Sequence, residues 1–388
     1  MTDPNSKLKD QPFFEAHNVP LARLAFSDAE VAAVVDVVRS GYLCQGPKVA
    51  QFEAVFAEKF QIGHAVAVSS GSAALLVALQ ALGVGGGDEV IVPDMTFISS
   101  ATAAMYLGAR PVLCDISLTD FNIDPVRVEY AINEKTKVLL PVHYAGQSAD
   151  MEALGELARK YDLLLLEDAA EAHLARFKGK AYCGTIGDVG IFSFTPTKPM
   201  TTGEGGVVVT DDDDIAERCR RIRNFGDEEK FAWNSLGFNF RMTEMAAAIG
   251  LCQLDKLESF IRGRREKARY YDETLAGEEM IMTPVVRGPE DSNYQLYTIL
   301  LDIDKMDVTR DDIIAELAQL GVAARLYYPA LHKMGVFSHF GPFDDDEFKN
   351  AMAFEKKAIS LPLFNDLTRS EQDHVVESLI NLIQSHLK

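Results

Sequence analysis

Between His64 and Asp168 the chain repeats one unit, a short apolar run followed by a stretch whose apolar residues have helical spacing. HAVAVSS leads into GSAALLVALQALG, and EVIVPD into TFISSATAAMYLGA; RPVLCDI follows, KVLLPVHY leads into DMEALGELARKYD, and LLLLED closes the series. Brief apolar runs bounded by turn residues predict strands buried on both faces. Helices between them predict an α/β fold, with a mostly parallel, mixed sheet flanked by helices. Open sheets of this kind gather ligands at the carboxyl ends of their strands.

The remaining segments extend this plan. Ser27 and Glu30 form a capping-box pattern ahead of SDAEVAAVVDVVRSG, so a helix opens the folded part and Gly41 closes it. GGVVVTDD reads as a further strand, and Thr243 to about Leu275 reads as one long helix of the sort that bridges two domains. After it, QLYTILLDI, a Thr309-capped helix, the run AARLYYP and a terminal helix opened by Thr368 and Glu371 predict a smaller α+β unit. A chain of 388 residues is long enough for both. The expected division is an N-terminal polar segment 1–20, a large α/β domain 21–265 and a small C-terminal α+β domain 266–388.

Charge narrows the function. A net charge of −20 argues against a surface that neutralises nucleic-acid phosphate or anionic membrane. Cys44, Cys114, Cys183, Cys219 and Cys252 show no metal-binding or disulfide spacing, so no metal is expected and the thiols read as reduced. The aspartates at 211–214 read as a solvated helix start, because adjacent carboxylates cannot all face one ion. The first residues lack the apolar core of a signal peptide, and no run is long enough for a membrane span. The cytoplasm is the expected location.

Two residues stand out against this background: Asp168, which ends LLLLED, and Lys198, in the turn of IFSFTPTKPMTTGEGG. Alone, the first reads as a helix N-cap and the second as a solvated charge. Together they offer a carboxylate for a pyridine nitrogen and an amine for an aldehyde, as pyridoxal phosphate requires. Partial desolvation would lower the pKa of the amine and favour a Schiff base. Glu171 would lie near the same edge if the chain turns into a helix, against the ring hydroxyl. Gly71, Ser72 and Ala73 begin a helix after a strand, where backbone N–H groups and the Ser72 hydroxyl suit a phosphate; small residues also serve there for close packing. Phe97 could cover one face of a pyridine ring or join the core. His143 and His173 read as supporting residues behind the site.

The chain resembles the DegT/DnrJ/StrS sugar aminotransferases, a branch of the fold-type I pyridoxal phosphate enzymes. The resemblance rests on GYLCQGPKVAQFEAVFAEKF, SSGSAAL, GDEVIVPDMTFISSATA, PVHYAGQSADM, LLEDAAEAH, FSFTPTKPMTTGEGG and GFNFRMTEMAAAIGLCQL, in the family's order. It implies Lys198 as Schiff-base lysine and proton shuttle, Asp168 at the ring nitrogen, Phe97 on the ring and Glu171 beside the ring hydroxyl. Gly71, Ser72, Ala73 and Ser193 fall at the phosphate-binding segments. Asn239 matches a residue that reaches the phosphate of the neighbouring subunit's cofactor, which implies a homodimer with shared active sites. Leu174, where the family often has Gly, and Pro199, directly after the lysine, depart from the pattern.

The resemblance further implies ping-pong transamination through pyridoxamine phosphate, with L-glutamate as donor and a keto-sugar as acceptor. The expected acceptor is a nucleotide-linked 4-keto-6-deoxy sugar. A cyclitol or other ketone, a pyridoxamine-dependent dehydratase, or a cofactor-binding regulator of the same fold are the rival readings. The loops at 227–238 and 326–334, with His332, and the nearby Arg325, carry no code that names the acceptor.

Overall fold

The computed structural model describes residues 18–229, 232–288 and 291–388. Most of the polar segment 1–20, and Lys230 and Phe231 of the loop 227–238, lie outside the described residues. The chain begins with α1 (Asp28–Ser40) and α2 (Pro47–Phe60), followed by β1 (His64–Val68), α3 (Gly71–Ala81), β2 (Glu89–Pro93), α4 (Ser99–Tyr106), β3 (Arg110–Cys114), α5 (Pro125–Ala131), β4 (Thr136–Leu139), α6 (Met151–Tyr161) and β5 (Leu164–Asp168). A small ribbon, β6 (Arg176–Phe177) and β7 (Ala181–Tyr182), precedes β8 (Val189–Ser193), β9 (Gly206–Thr210) and α7 (Asp213–Ile222). A second ribbon, β10 (Asp227–Glu229) and β11 (Ala232–Trp233), precedes α8 (Glu244–Leu275). Then come β12 (Ile281–Met282), β13 (Tyr297–Leu301), α9 (Arg310–Gln319), α10 (Lys349–Lys357), β14 (Ala358–Leu361) and α11 (Arg369–Ser385).

The principal sheet has seven strands in the order β1-β9-β8-β5-β4-β2-β3. Neighbours from β8 to β3 run parallel, and β9 alone runs against both of its neighbours. The reversal follows from the short connection after β8, which folds straight back as a hairpin-like arm rather than crossing over through a helix. Strands β2, β8 and β9 are buried along their whole length, as a sheet covered on both faces requires. The second sheet, β12-β13-β14, is antiparallel.

The caps inferred from sequence are present. The Ser27 and Glu30 side chains close a capping box on α1, which ends at Gly41 with φ 72°. Thr243 caps α8, and Thr309 and Thr368 open α9 and α11 with capping boxes. Asp212 caps α7 within the aspartate run. At the start of α2 the cap comes from elsewhere: the Glu244 carboxylate accepts the backbone N–H groups of Gly46 (2.9 Å), Lys48 (2.8 Å) and Val49 (2.9 Å).

One core face holds Phe52, Phe56, Phe60, Phe192 and Phe194, with Phe56 and Phe60 stacked at 4.3 Å. A separate cluster, built on Tyr271, Tyr297, Ile299, Ile313 and Val375, lies in the C-terminal part. Helix α8 serves both, since Leu254, Leu257 and Ile261 belong to the first and Ala268, Tyr271 and Leu275 to the second. Arg264 sits between these two groups and donates through Nη1 to the carbonyls of Tyr294 (3.2 Å), Gln295 (3.3 Å) and Leu363 (2.9 Å). Among the described residues no helix is long and apolar enough to cross a membrane, and no group of His, Cys, Asp or Glu is placed to hold a metal.

Candidate functional site

Strand β5 delivers Asp168 at its carboxyl end, paired with Ile191 of β8 and bridged to Val142. The side chain is buried. Its Oδ2 accepts from the Ser100 hydroxyl (2.7 Å), and its Oδ1 from the Ala170 N–H (3.1 Å). Burial pushes this carboxyl above its ordinary range, while Ser100, Ala170 and the more distant Lys198 charge pull the other way. Among the described residues this desolvated carboxylate has one hydroxyl and one N–H for company and no direct cationic partner. A protonated pyridine N–H supplies that partner, so the site fits the ring nitrogen of pyridoxal phosphate.

Lys198 lies on the arm between β8 and β9. Its turn is closed by Lys198 N–H donating to Thr195 O (3.0 Å), and by Thr201 Oγ1 and Thr202 N–H donating to Phe194 O (2.8 and 3.0 Å). The side chain is 11% exposed, and Nζ donates to Glu171 Oε1 at 3.0 Å. The same Oε1 accepts from the Tyr328 hydroxyl (2.9 Å), and Oε2 accepts from Ala145 N–H (2.9 Å). Glu171 is thus the point where Lys198, the loop after β4 and the segment after α9 converge. The Tyr328 hydroxyl is held protonated by burial and by the charge of Glu171.

Glu171 reaches this position without a helix. Residues 169–175 form an irregular turn, because Asn293 Nδ2 takes the carbonyls of Glu171 (2.7 Å) and His173 (2.9 Å) that a helix would spend on itself. Leu174 has φ 57°, a left-handed conformation that explains why glycine would be at ease there and that Leu occupies at a cost of about 1 kcal/mol. Its side chain is buried in the aromatic core, which offsets that cost.

At the start of α3, Ser70 is the N-cap and its hydroxyl accepts Ala73 N–H at 3.1 Å. The N–H of Ala73 is therefore already engaged, and helix geometry leaves those of Gly71 and Ser72 to face outward. Gly71 rests on the end of β8: a Cβ added to it would lie 2.7 Å from Ser193 Cβ and 2.9 Å from Ser193 Oγ. This contact draws the helix N-terminus and the Ser193 hydroxyl into one cradle, a fitting place for a phosphate. The Ser72 hydroxyl reaches Ser99 Oγ across the cradle at 2.7 Å.

Phe97 is 54% exposed, so it stands free of the core, with its ring centroid 5.8 Å from that of Tyr328 in an edge-on contact. Asn239 is exposed, and its Oδ1 accepts from Arg241 Nε (3.1 Å) rather than meeting the other residues of the site. The next residue ties this segment to the cradle, since Phe240 O accepts Ser69 N–H at 2.8 Å.

Both histidines behind the site are fully buried. His143 pairs with Glu167 (2.8 Å) and accepts from Ala149 N–H (3.1 Å). Burial, with the charge of Lys198 adding to it, drives the pKa of His173 down to about 3, so its ring is neutral between Phe192 and Phe194. His332 is likewise enclosed within the protein. It is buried, stacked on Phe348, and bonded to Asp94 at 2.6 Å, which fastens the 326–334 segment to the end of β2. Arg325 is exposed, and its backbone bridges to Ser360.

The sequence alone assigns no role to Ser100, Tyr328, Asn293 or Gln295. Ser100 lies in the TFISSATA segment with Phe97 and Tyr328 in LYYPALHKM with His332, so proximity to those residues is the available signal. Asn293 and Gln295 lie more than ninety residues beyond Lys198, and no local pattern connects them to it.

The model of the DegT/DnrJ/EryC1/StrS aminotransferase family matches residues 25–380. GDP-perosamine synthase of Caulobacter vibrioides is 38% identical over 337 residues, covering 86% of this chain and 90% of that protein. The X-ray structure of S. venezuelae DesV in complex with a ketimine intermediate superposes with a TM-score of 0.88 at 36% identity, covering 94% of this chain and 98% of DesV. Spr1654 from Streptococcus pneumoniae in its PLP form gives a TM-score of 0.90 at 30% identity, with 96% and 100% covered, and its PMP form gives 0.88.

Proposed function

The chain belongs to the DegT/DnrJ/EryC1/StrS family of pyridoxal-phosphate-dependent aminotransferases, and from that premise we propose that it carries an amino group from L-glutamate to a nucleotide-linked 4-keto-6-deoxy sugar. The exchange is ping-pong, with pyridoxamine phosphate as the amino-bearing form, and takes place in the cytoplasm. The observation that supports it most is the Lys198–Glu171 pair at 3.0 Å, on the same sheet edge as the buried Asp168.

When bound, pyridoxal phosphate supplies an electron sink conjugated to the substrate carbon. Asp168 keeps the ring nitrogen protonated, and Ser100 holds the Asp168 carboxylate in place. The Ser193 hydroxyl and the outward N–H groups of Gly71 and Ser72 hold the phosphate, and Phe97 covers one ring face. Lys198 Nζ moves a proton between the substrate's α-carbon and the cofactor's carbonyl-derived carbon, two atoms along across the shared nitrogen, acting as base and then as acid. Glu171 Oε1 keeps the free ammonium aimed between these strokes, and Tyr328 steadies Glu171. Residues 21–265 furnish most of these groups, and residues 266–388, as a second domain, furnish Tyr328. Asn239 of the partner subunit completes the phosphate grip in a homodimer.

The test has two stages. Glutamate added to cofactor-loaded protein converts the visible absorption of the lysine-bound cofactor to that of pyridoxamine phosphate, and keto-sugars offered to that form restore it with a product heavier by the amino-for-oxo exchange. Lys198→Ala abolishes multiple turnover. Multiple turnover by that variant, or a deoxygenated product without nitrogen, overturns the proposal.

A further inference from the structure

The segment Asn293-Tyr294-Gln295 enters the site from the C-terminal part of the chain and holds the main chain at Glu171 and at Thr197, directly before Lys198. Asn293 Nδ2 holds the carbonyls of Glu171 and His173 at 2.7 and 2.9 Å. Gln295 Nε2 donates to the carbonyl of Thr197, the residue directly before Lys198, at 2.5 Å. The two are linked, since Gln295 N–H donates to Asn293 Oδ1 at 2.8 Å. Arg264 of α8 fixes the carbonyls of Tyr294 and Gln295 from behind.

Gln295 is 4% exposed, and its Oε1 finds no donor among the described residues. The amide is not free to turn over, because exchanging its ends would set oxygen against the Thr197 carbonyl. Gln295, Thr197, Glu171, Tyr327, Tyr328 and Ala22 line one small cleft beside the lysine. A buried amide oxygen left without a donor is costly, and it becomes favourable when a ligand supplies the missing N–H or O–H. An oxygen acceptor selects for hydroxyl or ammonium and against a carboxylate, whose oxygens would repel it.

We propose that Gln295 reads the substrate and positions the lysine at once: Oε1 accepts a hydrogen bond from a hydroxyl or ammonium of the molecule bound beside Lys198, while Nε2 fixes the main chain that carries Lys198. The proposal rests on the aminotransferase reading above. Its consequence is that ligand occupancy on one side of the amide is felt, through a rigid planar group, at the backbone of the lysine.

The two half-reactions, followed separately in the holoprotein with glutamate and with a keto-sugar, test this. Gln295→Leu keeps the size and removes both bonds. One half-reaction is expected to show an apparent substrate KM raised about tenfold, and both a rate constant lowered about 10- to 100-fold. Gln295→Glu keeps the acceptor but can donate to Thr197 O only when its carboxyl is protonated. Its rate relative to the wild type therefore rises as pH falls, and the pH titration of the visible cofactor band in the substrate-free holoprotein shifts with it. A purely structural glutamine would give neither the KM change nor the acid rescue. Wild-type constants in both variants, or Gln295→Glu losing activity equally at every pH, overturn the proposal. Failure of the underlying reading is distinct, because the wild type itself would then show no change with any amino donor.

Discussion

Gly71→Ala is a small substitution with a calculable effect. Alanine ordinarily favours a helix over glycine by up to about 1 kcal/mol. Here the added carbon would sit 2.7 Å from Ser193 Cβ and 2.9 Å from Ser193 Oγ, distances at which the helix start or strand β8 must shift. Overpacking of this kind costs about 1–3 kcal/mol, so the clash matches or outweighs the propensity and leaves a net loss of up to about 2 kcal/mol. With roughly 2.1 cal/mol/K of unfolding entropy per residue over 388 residues, that lowers the melting temperature by up to about 2.5 °C. Cofactor binding should suffer more, because the displaced element carries the N–H groups proposed to hold the phosphate: the dissociation constant should rise about tenfold, or about 1.4 kcal/mol. Scanning calorimetry of cofactor-free wild type, Gly71→Ala, Ser193→Gly and the double variant, with absorbance titration of pyridoxal phosphate, checks this. Ser193→Gly removes both clashing atoms and leaves Cα at 3.5 Å as the next neighbour. In the double variant the alanine should therefore cost about 1 kcal/mol less than in the wild type. Additive losses within about 0.5 kcal/mol would falsify the contact argument.

Asp168→Asn should leave cofactor-free protein as stable as the wild type or more so, because burial already disfavours the charged carboxyl; transamination should fall on the order of 100-fold, and an unimpaired rate would remove Asp168 from the ring nitrogen. Tyr328→Phe deletes one of the donors to Glu171 Oε1 and should slow turnover about three- to tenfold, measured under saturating donor and acceptor; no change would make the hydroxyl a bystander. His173, with its pKa lowered to about 3, contributes stability that is complete above its unfolded pKa of about 6.5 and is lost as pH falls toward 3. Its share of the acid slope is about 1.4 kcal/mol per pH unit. His173→Phe should flatten the melting curve against pH between about 6.5 and 4.5 by that amount, and an unchanged slope refutes the assignment.

Most of the sheet was legible because β1 to β4 are each short, apolar and followed by a helix, so local pattern and tertiary position agree. The caps were legible for the same reason, since Ser27 with Glu30 and Thr368 with Glu371 act within three residues of each other. The turn at 169–175 was not, because what undoes the expected helix is Asn293, more than a hundred residues away. Phe97 remained ambiguous from sequence, as an aromatic after a strand packs inward or stands free with equal ease, and only its exposure separates the two. His332 looked available in an aromatic loop, whereas Asp94, distant in sequence, claims it. Side chains whose partners are local announce themselves, and those recruited across the chain do not.

The Glu244 carboxylate at the head of α2 has one more consequence. Helix α2 and helix α3 start on neighbouring segments of the same molecule, and each start is an attractive berth for an anion. The first is already taken by three N–H bonds to an acid that the chain carries itself. The second is closed only by the neutral hydroxyl of Ser70, which engages a single N–H. A phosphate arriving from solution therefore meets one berth stoppered by a charge of its own sign and one left vacant of charge. On the proposed reading, the glutamate that closes α2 leaves the start of α3 as the berth for the phosphate.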